Sequence, residues 1–396
     1  MKNLAINDSN ILEPQDWTFP IPIAYGPGRI NEIGSICDSL NIKNPLIVTD
    51  KNSKERSFIE CLMKLLNQAN IKADIFAEIS PNPRDDEISN GSMTYKSGGH
   101  DAVIAIGGGS AMDGAKAIGL TANNDIPLWD FEWEKEPAII GKENRFPKLI
   151  CIPTTAGTGA ETEGTAMVTD VEKGMKFCIC HPELKPSMAI LDPELTLGLP
   201  QSLTAWTGAD AMIHSIEAYC VPSFHPLCDG AALQSLSLIS KNLVLAVEEP
   251  NNLHARGGML VASCLGGIAF LKGLGLVHAI SHMIGAEFDT HHGLTNAIVL
   301  PVITRFNFPG LEAKVERMSS AMQYKDGSVD SFISNIDGIL DRIEIPNNLE
   351  EIGVPMDCVE RISEKAMKDS AFATNPRIAS LEEMNRLVSK SIKHAR

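Results

Sequence analysis

Hydrophobic positions follow two different patterns along the chain. In the first half, short apolar runs alternate with stretches in which apolar residues recur every three to four positions. The runs predicted as strands are Pro22–Tyr25, Leu46–Thr49, Ala73–Ala77, Asp101–Ile106, Lys148–Ile152, Ala166–Thr169, Lys176–Ile179 and Met188–Leu191. Helices are predicted at Arg29–Leu40 and Ser53–Ala69, and again after Pro83. Strands joined by helical crossovers are typical of a parallel sheet.

From about Leu203 onward the strand pattern disappears. Helical spacing runs through Ser202–Tyr219, His225–Val247, Leu253–Leu271 and Val277–Phe288, and amphipathic helices continue to the C-terminus. A chain of 396 residues is too long for one ordinary core. We therefore expect an α/β N-terminal domain with a Rossmann-like parallel sheet, residues 1–195, and an all-helical C-terminal domain, residues 196–396.

Charge and cysteine content narrow the choice of partners. The chain has 34 basic and 50 acidic residues, a formal charge of −16, which argues against nucleic acid or an anionic membrane as a partner. Nine cysteines without a CxxC pair favour reduced thiols in a cytoplasm. The polar N-terminus lacks the apolar run of a signal peptide, and the apolar run Gly257–Leu271 is predicted to be a buried helix.

Two pairs of polar residues stand four apart in apolar helices, Asp210 with His214 and His278 with His282. This spacing places both members of each pair on one helix face. Core histidines hydrogen-bonded to backbone are the simpler interpretation of one such residue. Two pairs that combine imidazole and carboxylate favour a divalent transition metal instead. Spacing alone leaves His282 or His291 open as a further ligand.

Two glycine-rich turns follow predicted strands. Gly107–Ser110 leads from the strand Asp101–Ile106 into a helix, and Thr154–Glu161 follows the strand Lys148–Ile152. Such turns let a phosphate approach backbone N–H groups at the positive end of a helix. The first turn is neither GxGxxG nor a Walker loop, so a tight turn without a ligand is the alternative. Their shared position at strand ends predicts one crevice.

These motifs together resemble those of the iron-containing (group III) alcohol dehydrogenases, from about Tyr25 to Arg377. The stretches that carry the resemblance are GGGSAMDGAK at Gly107–Lys116, PTTAGTGAE at Pro153–Glu161, DAMIHSIEAY at Asp210–Tyr219 and GLGLVHAISHMIGAEFDTHHG at Gly273–Gly293. The resemblance implies the dehydroquinate synthase-like fold of that family, with a nicotinamide cofactor on the α/β domain and a metal ion on the helical domain.

The resemblance also implies roles for individual residues. The implied ligands of Fe²⁺, or alternatively Zn²⁺, are Asp210, His214, His278 and His292. His282 lies outside this set and would pass a proton between substrate and solvent, whereas His291 would be an exposed neighbour in the turn. The implied cofactor contacts are Gly108, Gly109, Ser110 and Asp113 at the pyrophosphate, Thr154, Thr155, Thr158 and Lys176 along its path, and Asp50 and Asn82 at the adenosine half. Thr374–Arg377 resembles a family motif to which no role is assigned.

The implied activity is hydride transfer between NAD(H) and a small primary alcohol or aldehyde, by a cytoplasmic homodimer or higher homo-oligomer. One alternative is a dehydroquinate-synthase-like lyase, which also combines a nicotinamide cofactor with a metal but regenerates the cofactor in each cycle. A second alternative is a non-catalytic NAD-binding protein. Net reduction of NAD by a simple alcohol separates the dehydrogenase from both.

The cofactor preference gives the first testable prediction. A carboxylate at Asp50 can accept hydrogen bonds from the adenosine ribose hydroxyls of NAD, whereas it repels the 2′-phosphate of NADP. We expect Asp50→Gly to raise activity with NADP relative to NAD, measured as the ratio of the two kcat/KM values. If Asp50 merely caps the helix after Lys51, the substitution changes thermal stability and leaves that ratio unchanged.

Overall fold

The N-terminal part of the chain forms a seven-stranded sheet covered by helices on both faces. The computed structural model describes residues 15–17, 21–136, 138, 140–141 and 146–394, so most of the N-terminal stretch without a signal-peptide pattern lies outside the described residues. The strands of this sheet are β1 (Gln15–Trp17), β2 (Ile23–Tyr25), β3 (Pro45–Asp50), β4 (Asp74–Ile79), β5 (Ala102–Gly107), β6 (Lys148–Pro153) and β9 (Met188–Leu191). Their order is β1-β2-β9-β6-β5-β3-β4, parallel except for β1. The predicted parallel sheet is confirmed.

Alternating residues of the central strand β5 serve two cores. Val103 and Ala105 pack with helices α3 (Asp85–Gly98) and α4 (Gly109–Ala122) on one face. Ile104 and Ile106 pack on the other face with helices α1 (Ile33–Leu40) and α2 (Ser57–Gln68). A strand buried on both faces reads as a continuous apolar run, as β5 does in the sequence.

Two predicted helix starts differ from the structure. Residues Arg29–Glu32 form a 3₁₀ turn, and α1 begins only at Ile33. Helix α2 begins at Ser57 rather than Ser53. The Asp50 carboxylate accepts hydrogen bonds from the backbone N–H of Asn52 and the hydroxyl of Ser53, and such local bonds compete with helix formation. Asp50 therefore holds a turn and does not cap α2.

The strands predicted at Ala166–Thr169 and Lys176–Ile179 do not join the large sheet. They form a separate antiparallel hairpin of β7 (Thr165–Asp170) and β8 (Met175–Cys180). The four residues between β7 and β8 are enough for a hairpin turn, and parallel pairing needs a crossover of a dozen residues or more. Gly174 takes a positive φ of 58° in this turn, a conformation that glycine adopts without strain.

The rest of the chain is helical around a single large apolar cluster. The helices are α5 (Gln201–Cys220), α6 (Pro226–Glu248), α7 (Leu253–Ala269), α8 (Leu276–Phe288), α9 (His292–Asn307), α10 (Glu312–Ala321), α11 (Val329–Arg342), α12 (Val359–Ala366) and α13 (Leu381–Lys393). The segments Pro226–Glu248 and Leu253–Lys272 are long and apolar enough to cross a membrane by length and composition, but 61% and 72% of their most apolar windows are buried inside the protein. Such burial is typical of core helices.

Candidate metal centre and cofactor crevice

Four predicted ligands from three helices meet at one point. Helix α5 supplies Asp210 and His214 from one face, α8 supplies His278, and α9 begins at His292. Their ligand atoms all lie within 4.8 Å of one another. The Nε2 atoms of His214, His278 and His292 lie 3.8, 3.8 and 3.7 Å from the same oxygen, Oδ1 of Asp210. His292 is the most open of the four, with 27% of its side chain exposed.

The other ring nitrogen of two of these histidines is held by an acceptor. Nδ1 of His214 lies 3.2 Å from the carbonyl oxygen of Gly157, and Nδ1 of His278 lies 2.6 Å from Oε2 of Glu217. Because a carbonyl and a carboxylate only accept hydrogen bonds, each Nδ1 carries the hydrogen. In the neutral form of each ring, the lone pair of Nε2 therefore faces the cluster.

Burial and charge set the protonation of the rings. Burial lowers the pKa of His214 to about 4 and lowers that of His292 well below its ordinary value. Burial also opposes the charged form of His278, but the hydrogen bond and charge of Glu217 outweigh it and raise the pKa of that ring. His214 and His292 are thus neutral at neutral pH, the form that binds metals.

The ligand set fits a divalent transition metal. A tetrahedral ion about 2.0–2.2 Å from its ligands separates them by roughly 3.4 Å, slightly less than the spacing found here. The side-chain nitrogen of Asn296 lies 2.7 Å from Oδ1 of Asp210 and within 3.1 Å of Nε2 of both His278 and His292. One imidazole lone pair cannot serve both an amide hydrogen and a metal ion, so an ion requires this amide to turn. The oxygen of Asn296 is buried without a hydrogen-bond partner, so the turn breaks no hydrogen bond at that atom.

His282 lies beside the four-residue set and has its own partner. Its Nδ1 lies 2.9 Å from Oδ2 of the buried Asp369, and the other oxygen of Asp369 accepts the backbone N–H of Ala371. The ring of His282 stacks on that of His292, with centroids 5.3 Å apart. The prediction of an exposed His291 is wrong. That residue is partly buried, accepts the N–H of Leu294 as the cap of α9, and packs on Trp206.

The two glycine-rich turns face each other at the carboxyl ends of β5 and β6. A Cβ placed on Gly109 would lie 2.5 Å from Cγ2 of Thr158, and one placed on Gly108 would lie 3.5 Å from Cγ2 of Thr155. Gly108 is the N-cap of α4 and has no side chain to cap the helix, so the N–H groups of the first turn can receive an anion. Thr154 joins the two turns, since its N–H donates to the carbonyl of Gly107.

Asp50 shares this crevice, because a Cβ on Gly107 would lie 3.2 Å from its Oδ2. Two other predicted cofactor residues already have protein partners in the structure. The hydroxyl of Ser110 donates to the carbonyl of Pro81, and the Asp113 carboxylate accepts the N–H of Met167. The structure therefore brings the predicted cofactor residues to one edge of the sheet.

A chain of hydrogen bonds runs from this edge to the turn that precedes His292. The ammonium of Lys176 donates to Oδ1 of Asn82 at 2.8 Å, and Nδ2 of Asn82 donates to Oδ1 of Asp289 at 2.7 Å. Asp289 ends α8 in a left-handed conformation with φ 52°, three residues before His292. Burial lowers the pKa of Lys176. Lys176 of the β7–β8 hairpin and Asn82, which follows β4, thus link the α/β part of the chain to the helices.

Three residues that contact the histidines or Asp210 were not predicted from the sequence, namely Glu217, Asp369 and Asn296. The spacing of Glu217 could have indicated its role, because it stands seven residues after Asp210 on the same helical face. Asn296 follows His292 by four residues and shares its face in the same way. No local spacing indicated the role of Asp369, since it lies 87 residues from His282, whose ring it holds.

Comparison with known proteins gives the same assignment. Residues 20–193 match the family "Iron-containing alcohol dehydrogenase", and residues 204–392 match "Fe-containing alcohol dehydrogenase family, C-terminal". The chain is 32% identical to the NAD-dependent methanol dehydrogenase of Bacillus methanolicus, covering 95% of this chain and 100% of that protein. It is 33% identical to the 1,3-propanediol dehydrogenase of Klebsiella pneumoniae, covering 93% and 96% of the two chains.

A solved structure of a 1,3-propanediol oxidoreductase superposes with a TM-score of 0.87 at 33% identity, covering 93% of this chain and 97% of that one. The chain belongs to the iron-containing alcohol dehydrogenase family, and it is an oxidoreductase that acts on the CH–OH group of alcohols. This membership disfavours both the lyase and the non-catalytic alternatives.

The geometry predicts which histidine substitution empties the metal site. His292→Ala removes a predicted ligand and should weaken metal affinity by more than the roughly 10–100-fold that loss of an outer partner costs. His282→Ala should leave the metal in place, as should His254→Ala, a control at an exposed position. Metal per chain is measured by mass spectrometry after dialysis. Loss of metal in His282→Ala with retention in His292→Ala would show that the fourth ligand is misassigned.

Proposed function

We propose that this protein oxidises small primary alcohols with NAD, or reduces the corresponding aldehydes with NADH, at one divalent ion held by Asp210, His214, His278 and His292. The observation that carries the proposal is the convergence of three Nε2 atoms on one buried carboxylate oxygen. We assign Fe²⁺, with Zn²⁺ as the alternative, because mixed nitrogen and oxygen ligands suit both ions.

An ion with an open coordination position supplies Lewis-acid polarisation of the substrate oxygen. The residues of the chain provide its setting. Asp210 contributes a negative charge beside the neutral rings of His214 and His292, and the partly exposed His292 marks the side on which substrate enters. The apolar helices around the site exclude water and strengthen the electrostatic interactions inside it.

The proposed cofactor path runs along the edge where β3, β5 and β6 end. Gly108, Gly109, Ser110 and Asp113 would meet the pyrophosphate, while Thr154, Thr155, Thr158 and Lys176 would line the path toward the metal. Asp50 would face the adenosine half. Asn82, which the sequence assigned to that half as well, bonds to Lys176 and Asp289 and would lie at the metal end of the path. Asp50 lies beside Gly107, so its negative charge favours NAD over NADP in this position. The NAD dependence of the Bacillus methanolicus relative agrees with this choice.

Hydride transfer would take place in the cleft between two domains, residues 1–195 and residues 196–396. The chain from Lys176 through Asn82 to Asp289 supports this arrangement, because it ties the cofactor edge to the turn before His292. We also infer a homodimer or higher homo-oligomer in the cytoplasm, without nucleic acid or membrane as partner. Strongly exposed apolar side chains, Phe224 and Ile378 among them, offer surface for self-association, and the acidic charge disfavours anionic partners.

His282 is the proposed route for the proton. Asp369 fixes Nδ1 of this ring, so Nε2 points away from that carboxylate and can exchange a proton with substrate or water. No other general base is required at the reacting carbon, because the cofactor takes the hydride.

Turnover with a panel of alcohols tests the proposed function. Methanol, ethanol, 1,3-propanediol and hydroxyacids are assayed with NAD and NADP by following absorbance of the reduced cofactor. We expect net NADH formation with at least one small primary alcohol, lost on chelation of the metal and restored by Fe²⁺ or Zn²⁺. Metal-bound, folded protein that forms no NADH with any alcohol and consumes none with the aldehydes would contradict the proposal.

The role of His282 gives a separate prediction. His282→Ala should lower kcat by about one to two orders of magnitude, as expected for a lost proton-transfer group, with bound metal unchanged. Steady-state kinetics across the pH range measure the effect, and His254→Ala serves as the control. An unchanged kcat at every pH would leave His282 as a core histidine.

A further inference from the structure

The first turn of α8, which carries His278, is held by side chains from two distant parts of the chain. The N-cap of this helix is Gly275, which has no side chain to satisfy the free N–H groups of the turn. Glu217 of α5 accepts the N–H groups of Gly275 at 3.1 Å and Val277 at 2.8 Å. Asn375 accepts the N–H of Leu276 at 3.1 Å.

Glu217 acts on the metal ligand as well as on the helix. One of its oxygens, Oε2, accepts hydrogen bonds from the backbone N–H of Gly275 and from Nδ1–H of His278. The side chains of Glu217 and His278 are 4% and 1% exposed, so water does not compete for these bonds. A negative carboxylate at this end of α8 also interacts favourably with the helix dipole. The ring of His278 is therefore fixed in position and in the tautomer that leaves Nε2 free.

The same helix face supplies two ligands and the group that orients a third. Asp210, His214 and Glu217 stand at positions i, i+4 and i+7 of α5, one above the other. Because these three side chains stand on one rigid helix, α5 holds its own two ligands at a fixed distance from His278, the ligand on α8 that Glu217 orients.

Asn375 gives the C-terminal segment Thr374–Arg377 a role. Its side-chain oxygen also accepts from Nδ2 of Asn307 at 2.8 Å, and its own nitrogen donates to Oδ1 of Asn307 at 2.9 Å and to the carbonyl of Arg377. Every polar atom of this buried side chain is used. A Cβ on Gly275 would lie 2.7 Å from both Oδ1 of Asn375 and Oε1 of Glu217, so the three residues pack as one unit.

We propose that Glu217 and Asn375 are positioning residues that clamp the first turn of α8 and thereby set the affinity of the metal centre. The inference rests on the proposed metal-dependent function and deepens it. Neither residue belongs to the four side chains whose ligand atoms meet. Their effect passes through the orientation of His278, as outer partners of metal-bound histidines do in general.

Zinc retention by the full-length loaded protein tests the clamp. Zinc-loaded chains are equilibrated with graded chelator, and retained zinc is measured. We expect Glu217→Gln to weaken zinc binding about 10–100-fold, because an amide nitrogen then faces one of the hydrogens that the carboxylate accepted. Gly275→Ala should weaken binding in the same direction without removing any polar group, because its Cβ forces Glu217 and Asn375 apart.

The control is Asp192→Asn. Asp192 is a fully buried carboxylate that accepts three backbone N–H groups, those of Gly28, Ile30 and Glu194, away from the metal centre. The Asp192→Asn variant should retain as much zinc as the unchanged protein. Visible absorption of the Co²⁺-loaded chains adds a spectroscopic readout: its band should change in Glu217→Gln and stay the same in Asp192→Asn, even if both lose stability.

The outcomes separate the clamp from the proposed function. Zinc bound by the unchanged protein and retained equally by Glu217→Gln and Gly275→Ala overturns the clamp alone. Failure of the unchanged protein to bind zinc, iron or cobalt at this site overturns the metal-dependent function and the clamp with it.

Discussion

Imidazole rings and a carboxylate buried between apolar helices must each find polar partners inside the protein. A buried polar group without a partner costs about 1–3 kcal/mol, so each ring needs an acceptor for one nitrogen. Gly157, Glu217 and Asp369 provide these acceptors for His214, His278 and His282. They come from three separate regions of the chain, and the fold has to bring all three to the same point.

The contact between Gly157 and His214 places the second glycine-rich turn against the four-residue cluster. A Cβ on Gly157 would lie 2.6 Å from the backbone oxygen of Thr207 in α5, and one on Gly159 would lie 2.5 Å from Cα of Gly267 in α7. Close approach of the turn to both helices therefore requires glycine at these positions. The glycines of this motif serve packing between sheet and helices, whereas the sequence favoured a direct contact with phosphate.

Periodicity predicted the parallel sheet, the helical second half and both pairs of polar residues spaced four apart. Each of these features depends on the order of residues within a short segment of the chain. Spacing could not choose among His282, His291 and His292, since a turn places neighbouring residues in different directions. The hairpin of β7 and β8 differed because strand propensity carries no information about which sheet a strand joins. Local sequence patterns could not predict the roles of Asp369 and Asn375. Asp369 bonds to His282, 87 residues away, and Asn375 bonds to Leu276, 99 residues away.

Anomalous diffraction locates the bound ion and identifies its ligands. Crystals of the protein as purified, measured on both sides of the iron and zinc absorption edges, identify the metal and its position. We expect one peak bonded to Oδ1 of Asp210 and to Nε2 of His214, His278 and His292. The amide of Asn296 should be turned so that its nitrogen no longer contacts these ligand atoms. A peak at another group of side chains, or an ion bonded to His282 in place of His292, would contradict it.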